Sequence, residues 1–394
     1  RVEVPPRREL GDLAWAGALA LAKSLGKPPR GLAQELAQSL EAKLQQAEGP
    51  LGLLEPKVSV EGPGFLNFHL RRGPVVGQAL QAGFHETPER PAKIIVEHTN
   101  INPNKAAHIG HLRNAVLGDV LARCLRFLGY PVEVQNYIDD TGVQVADVVV
   151  GFVFLPEAEL LEAVRQVWSS PSSRREVLEE FAKRKREDRL VVEALGEADF
   201  DDLCWQLYPQ VTRWYEQNPE ASAKRTEVLH ALEGGAPENL SLEEAVAALA
   251  AGNQDPPALA RLGAAVAETN LRCHLLTMGR LGVAYDVLPH ESDILRRGFW
   301  QRAFELLQEA GCIRKETEGK NAGCWVMSLA DSPEFAGMAD ADKILVRSNG
   351  TVTYTGKDIA YQLWKLGLLR DPDGTCHDFG YVPFARFQIG RAHV

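Results

Sequence analysis

Hydrophobic and polar positions change their period several times along the chain. From Gly31 to about Gln46, Leu32, Leu36, Leu40 and Leu44 recur every four residues, which predicts an amphipathic helix. The run Val58-Ser59-Val60-Glu61-Gly62-Pro63-Gly64-Phe65-Leu66-Asn67-Phe68 then reads as strand, tight turn and strand. Together these predict a small α/β N-terminal domain over residues 1–88, with a linker at Glu86-Thr87-Pro88-Glu89-Arg90-Pro91. Next, Lys93-Ile94-Ile95-Val96-Glu97 is a short apolar run of the kind buried in a parallel sheet. After a polar loop, Leu112, Val116, Leu121, Leu125 and Leu128 mark a helix stopped by Gly129 and Pro131. Val132 to Tyr137 is a second strand, which completes a β-α-β unit.

The stretch from Gly151 to about Met278 is almost wholly helical and highly charged, broken at Ser169-Ser170-Pro171, Gly234-Gly235 and Asp255-Pro256-Pro257. It reads as an insertion within an α/β domain. Strand character returns at Gly282–Val287, followed by a helix at Phe299–Ala310 and a strand at Cys324–Leu329. Lys343–Val346 and Thr351–Tyr354 flank Asn349-Gly350, a strong hairpin turn. The expected fold class is α/β: a Rossmann-like parallel-sheet domain over 89–388, carrying a helical insertion at about 151–278 and preceded by the small α/β domain.

Composition narrows the function classes without choosing among them. The chain has 394 residues, 45% hydrophobic and 24% charged, enough for two or three domains. No apolar run approaches the roughly 18 residues of a membrane helix. The six cysteines, Cys124, Cys204, Cys273, Cys312, Cys324 and Cys376, form no C-x-x-C pair, which points to reduced thiols in a cytoplasm. The net charge of −10 weighs mildly against a polyanion partner, although local basic patches decide that question. The start at Arg1 and the tail Ile389-Gly390-Arg391-Ala392-His393-Val394, which resembles a translated sequencing adapter, lead to the expectation of a fragment. Its native sequence would stop near Gln388, leaving 389–394 as a non-native tail.

Candidate chemistry concentrates at three places. Lys105-Ala106-Ala107-His108-Ile109-Gly110-His111 lies where the first strand hands over to the helix, at the carboxyl end of the sheet. Helix N–H groups and the macrodipole favour phosphate there. His108 and His111 fall on one helical face and can donate to phosphate oxygens, and Gly110 lets a ligand come close. A metal site would need further Cys, His or carboxylate ligands at suitable spacing, and none stands nearby in the sequence. The segment Asn136-Tyr137-Ile138-Asp139-Asp140-Thr141-Gly142-Val143-Gln144 closes the second strand and faces the same crevice, or else simply caps a helix through Asp140 or Thr141. In Tyr354-Thr355-Gly356-Lys357-Asp358-Ile359-Ala360-Tyr361, Asp358 is either a helix cap or, with Glu97 and Tyr354, a receptor for a planar guanidinium. The basic run Arg174-Arg175 and Lys183-Arg184-Lys185-Arg186 lies among glutamates and reads as a solvated, salt-bridged helix face.

Taken together these residues resemble the class I aminoacyl-tRNA synthetases, and among them the arginyl family. Val96 through Asn114 is similar to its ATP-binding segment, and Val346 through Tyr354 with Asp358 to Tyr361 to a later active-site segment. Gly62-Pro63-Gly64-Phe65-Leu66-Asn67 is similar to its N-terminal domain, which contacts the corner of the tRNA. The resemblance implies that L-arginine is joined to tRNA(Arg) through arginyl-adenylate, with ATP and accompanying Mg²⁺, in a cytoplasmic monomer with no membrane partner. It implies that His108, Gly110 and His111 bind ATP, and that Lys105 serves in place of a second lysine motif. It implies further that Glu97, Asn102, Asp140, Gln144, Tyr354 and Asp358 receive arginine, and that no metal ligand set is built from the protein. The family continues into an anticodon-reading domain and characteristically needs bound tRNA to activate arginine.

Overall fold

The computed structural model describes residues 2–82, 92–192, 199–329 and 342–379. The chain divides into two compact units, 1–86 and 87–394. The linker segment 86–91 and the tail 389–394 lie outside the described residues.

The first unit contains β1 (Val2–Glu3), β2 (Leu13–Trp15), α1 (Gly17–Leu25), α2 (Pro29–Leu44), β3 (Leu54–Glu61), β4 (Phe65–Leu70) and α3 (Arg72–Ala82). Its four strands form an antiparallel sheet in the order β1-β2-β4-β3. Helix α2 begins with Pro29, a residue whose fixed φ suits a first turn and which loses no needed N–H there. It buries Leu32, Ala33, Ala37 and Leu44 against Val58 and Leu66 of the sheet, with Leu36 and Leu40 at the margin. Gly62 and Gly64 both have positive φ in the β3–β4 turn, where a side chain would be strained.

In the second unit, β5 (Ile94–Glu97), α4 (Ile109–Phe127) and β6 (Val132–Gln135) form the β-α-β core, with β5 and β6 parallel and in register from Ile94↔Val132 to Glu97↔Gln135. A third chain segment joins β6 through parallel bridges at Gln135↔Val287 and Ile138↔His290. The strand expected at 282–287 is therefore present only as isolated bridges. Among the described residues no helix is long and apolar enough to cross a membrane, and the six cysteines are unpaired.

Helix α4 departs from its expected stripe. Its buried positions are Ala115, Gly118 and Ala122, while Val116, Leu121 and Leu128 are exposed. The reason is distance: a Cβ on Gly118 would come within 2.1 Å of the His98 ring, so only a residue without one lets the helix lie this close to the sheet.

The helical region runs through α5 (Val143–Val153), α6 (Glu157–Arg165), α7 (Arg174–Arg186), α8 (Phe200–Gln217), α9 (Ser222–Gly234), α10 (Leu242–Ala250) and α11 (Pro256–Arg280). These share one large apolar core, in which Phe152, Phe181 and Phe200 stack together. α5 is buried from Val145 to Val153, so the helical body begins before Gly151. The basic run on α7 is ion-paired only in part: Arg175 pairs with Glu179, Arg184 with Glu180, Lys185 with Glu268 and Arg186 with Glu243. Arg184 and Lys185 are half-buried, and Arg174 instead donates to the Val153 and Leu155 carbonyls.

After α11 come α12 (Glu291–Arg296), α13 (Phe299–Glu309), β7 (Arg314–Lys315), β8 (Trp325–Met327), β9 (Lys343–Val346) and α14 (Tyr354–Lys365). β7, β8 and β9 pair antiparallel, and β9 turns back through Gly350, at φ 87°, to a bridge between Val346 and Val352. Phe299, Tyr361, Trp364 and Phe379 pack a second core that seats α14.

Gly118→Ala should lower the stability of the second unit by about 1–3 kcal/mol, the usual cost of overpacking a rigid contact. Urea denaturation of the two proteins side by side would measure it, and equal midpoints would show that His98 gives way freely.

Candidate active site

The carboxyl ends of β5 and β6 are joined by a strained turn. Thr99 and Asn100 both hold positive φ, 74° and 45°. Asparagine tolerates that region, whereas a β-branched threonine is placed there only by its surroundings. Thr99 Oγ1 meets the Tyr285 hydroxyl at 2.8 Å and His98 Nδ1 at 2.9 Å. Asn100 donates its backbone N–H to Asn136 Oδ1, accepts from the Tyr137 N–H, and donates Nδ2 to Glu97 Oε1, all within 2.6–2.9 Å. One side chain thus ties the two strand ends to each other and orients Glu97.

Helix α4 opens on His108, the residue that caps it. The Gly110 N–H donates to His108 Nδ1 at 3.1 Å, and the His108 N–H donates to His111 Nδ1 at 3.2 Å. The rings stack with centroids 3.7 Å apart. A nitrogen that accepts a backbone N–H carries no proton, so each ring bears its proton on Nε2. The turn therefore presents two Nε2–H donors at a helix N-terminus, where an anion is favoured. Burial first, then the neighbouring His108 and Lys105, lower the pKa of His111 and keep it neutral. His108 and Gly110 are exposed, and a Cβ on Gly110 would press within 3.0 Å of the His108 ring.

Lys105 precedes this turn, its ammonium lying 4.4 Å from the ring centre of Tyr208 and 5.2 Å from that of Trp205, both on α8. Its carbonyl oxygen meets His274 Nε2 at 2.7 Å. His274, on α11, is pushed down to about 4 by burial, so it is neutral and donates.

A cavity of about 260 Å³ lies between the β6 end, α9, α12 and the start of α14. Asp139, Gln144, Glu233, Glu291, Tyr354 and Lys357 line it. Lys357 is buried, 2.7 Å from Glu291 Oε1 and 3.5 Å from Glu233 Oε1. Burial alone would lower its pKa; the two carboxylates, Glu291 above all, overcome that and raise it. Thr141 and Tyr137 also donate to Glu291. Asp139 is pushed up to about 8, by burial first and then by the charge of Glu291.

Along α14 a second ion pair joins Lys365 to Glu97, and the Lys365 ammonium sits 4.0 Å from the Tyr361 ring centre. Asp358 lies electrostatically between the two pairs. Its carboxyl is pushed up to about 6 by withdrawal from water, then by Glu291 and Glu97.

Of the residues singled out from sequence, Gln144 and Tyr354 line the cavity, whereas Glu97 and Asp358 do not; Asp358 feels the charges of Glu97 and of the cavity's Glu291. Asn102 is half-buried in the loop that leads to Lys105. Asp140 does not line the cavity. It accepts from the Ser292 N–H and hydroxyl, at 2.8 and 2.7 Å, and pairs with His290 at 3.2 Å. Burial opposes its charge, but those donors outweigh it and hold its pKa low. Sequence reasoning missed Glu291, Glu233, Lys357 and Lys365. Glu291 had a usable signal, a polar Pro289-His290-Glu291-Ser292 cluster just after a strand-like run; the lysines, inside a helix, had none.

In the first unit, a separate cavity of about 390 Å³ is lined by Pro5, Pro6, Arg7, Phe65 and Asn67, among others. Asn67 is almost wholly buried, and its Oδ1 has no hydrogen-bond partner.

Comparisons with known proteins follow the same division. The family model described as "Arginyl tRNA synthetase N terminal domain" matches residues 1–70, and "tRNA synthetases class I (R), catalytic domain" matches residues 76–253. The arginine–tRNA ligase of Thermococcus sibiricus is 36% identical over 369 residues, 92% of this chain and 49% of its own length. That of Thermus thermophilus is 35% identical over 395 aligned positions, 98% of this chain and 52% of its own. The solved structure of Thermus thermophilus arginyl-tRNA synthetase superposes with a TM-score of 0.52 at 31% identity, covering 100% of this chain and 54% of that one. The chain spans about half the length of the curated relatives it matches.

The high pKa of Asp139 gives a pH dependence. Between the ordinary carboxylate range and about pH 8 the folded chain keeps a proton that the unfolded chain has lost, so stability falls as pH rises across that window. Asp139→Asn keeps a neutral side chain of the same shape and removes this slope. Its melting temperature should change less between pH 6 and pH 8.5 than that of the unaltered protein; parallel curves would place the titration elsewhere.

Proposed function

The chain belongs to the arginyl-tRNA synthetase family, and on that premise we propose that it serves the ATP-dependent ligation of L-arginine to tRNA(Arg) through arginyl-adenylate. The observation that carries the reading is the turn at α4: two neutral imidazoles with their protons on Nε2, beside an ammonium, at a helix N-terminus. Such a group binds phosphate oxygens and stabilises charge that grows on an α-phosphate as pyrophosphate leaves. Lys105, His108 and His111 take the phosphates, and Gly110 leaves the approach open.

Arginine enters beside α14. Asp358, Tyr354 and Glu97 receive the guanidinium, Gln144 lines the pocket, and Asn102 meets the α-substituents. Asp140 acts at one remove, by holding His290 to Ser292 in place. The arginine carboxylate attacks the α-phosphate, pyrophosphate departs, and a terminal ribose hydroxyl of the tRNA then takes the acyl group and releases AMP. No side-chain nucleophile is needed, since positioning and charge stabilisation do the catalytic work. Mg²⁺ arrives with the nucleotide: imidazoles and an ammonium do not suit a hard cation that takes oxygen ligands, so the turn supplies none. The setting is cytoplasmic and the active form a monomer.

The first unit supports a tRNA contact. The buried, unpaired Asn67 oxygen faces a cavity walled by two prolines and Phe65, which suits the edge and face of an unstacked base.

Arginine-dependent ATP–pyrophosphate exchange by the full-length gene product, with and without tRNA, tests the main reading. Exchange with arginine alone among the amino acids supports it, and His108→Ala should lower the rate by ~10²–10³-fold. A folded, tRNA-binding protein with no exchange would instead be a non-catalytic relative. Asn67→Ala should weaken tRNA binding about tenfold, as loss of a base contact does, with exchange kinetics for ATP unaltered. Filter binding would read the effect, and unchanged affinity would remove the base-binding role.

A further inference from the structure

The buried lysines of the second unit are each paired with a carboxylate, and the half-buried Lys105 is not. Lys93 pairs with Glu133, Lys357 with Glu291, and Lys365 with Glu97. Lys105 has no carboxylate within 4 Å among the described residues, and its ammonium lies instead against the faces of Tyr208 and Trp205. The physical difference is large. A carboxylate neutralises the cation, and an incoming phosphate must first displace it. An aromatic face attracts the ammonium through the ring quadrupole and leaves its charge intact.

The surroundings are built to hold that arrangement. Trp205 and Tyr208 are three residues apart on α8, so both rings project from one face of the helix. The Ala106 N–H donates to the Asp201 carbonyl at the start of α8, and His274 on α11 donates to the Lys105 carbonyl. The peptide unit that follows the Lys105 Cα is thereby pinned to the helical body through both its carbonyl and its N–H. Trp205 also meets the His108 ring edge-on, with centroids 6.3 Å apart, so one indole touches both the cation and the first imidazole of the turn.

We propose that Trp205 and Tyr208 form an aromatic seat that holds the Lys105 ammonium un-neutralised beside His108 and His111, making the helical body a determinant of ATP affinity. Both are positioning residues that act through Lys105. The inference rests on the nucleotide-binding reading of the turn given above, and deepens it by naming what presets its cation.

The test uses the full-length gene product and titration calorimetry with ATP, together with KM for ATP and for arginine in pyrophosphate exchange. Tyr208→Leu and Trp205→Leu should each weaken ATP binding about three- to tenfold, in line with a partly desolvated cation–π contact, and leave KM for arginine unaltered. Tyr208→Phe, which keeps the ring, should bind like the unaltered protein. In a Lys105→Ala background Tyr208→Leu should have no further effect. Trp205 is 40% exposed, so its replacement tests the seat even if Tyr208→Leu unfolds. Unaltered ATP binding by the leucine variants overturns the proposal, as does a loss that persists without Lys105 or appears equally in Tyr208→Phe. ATP binding that follows these expectations in a protein with no arginine exchange would sink the ligase reading while leaving the seat in place.

Discussion

Two ammonium–carboxylate pairs along α14, one buried and one part-buried, organise the candidate site. Lys357 and Lys365 lie two turns apart on that helix, one paired with Glu291 and the other with Glu97. A buried charge without a partner costs several kcal/mol, roughly 3–5 when one member of a pair is removed, so α14 has only one rotation that satisfies both lysines. That rotation also sets Asp358 between the two pairs and turns Tyr354 toward the cavity. The partners come from far away in sequence: Glu97 is 268 residues from Lys365 and Glu291 is 66 from Lys357. Each pair is therefore a statement about tertiary structure as much as about charge.

At the other end of the site the geometry is held by hydrogen bonds of amide and backbone groups. Asn100 accepts a left-handed backbone and uses its N–H and both side-chain groups to join β5, β6 and Glu97. The two histidines of the α4 turn receive backbone N–H groups at Nδ1, and their tautomers follow from that. Preorganised donors of this kind need no rearrangement when charge develops on a bound phosphate. The histidine turn and α14 thus use different physics, hydrogen bonds to backbone groups in one and ion pairs in the other.

The helical body is more than an appendage to this sheet. Its aromatic core of Phe152, Phe181 and Phe200 is rigid enough to place Trp205, Tyr208 and His274 against Lys105. A segment that in sequence reads as a charged helical insertion becomes a wall beside Lys105. Its charges serve both faces: Arg175 and Glu179 pair on the outside, while Asp147 is buried and paired with Arg225.

Much of this could be read from residue order. The β-α-β unit follows from local period and from Gly129 and Pro131 as stops, the β3–β4 turn from Gly62-Pro63-Gly64, and the His-x-Gly-His turn from its place between strand and helix. These are local properties, decided by backbone propensity and by neighbours a few residues away. The stripe of α4 departs from its period because burial there is governed by how closely a helix approaches the sheet; Gly118 and Ala122 go inside and larger residues stay out. Lys357 and Lys365 were silent for a related reason, since a lysine in a helix looks like solvent until the structure puts a carboxylate beside it. Asp140 shows the converse, a residue whose position suggested substrate and whose partners are Ser292 and His290. Periodicity and turn chemistry are written along the chain, whereas desolvation and charge pairing depend on which distant residues meet, and only folding supplies those meetings.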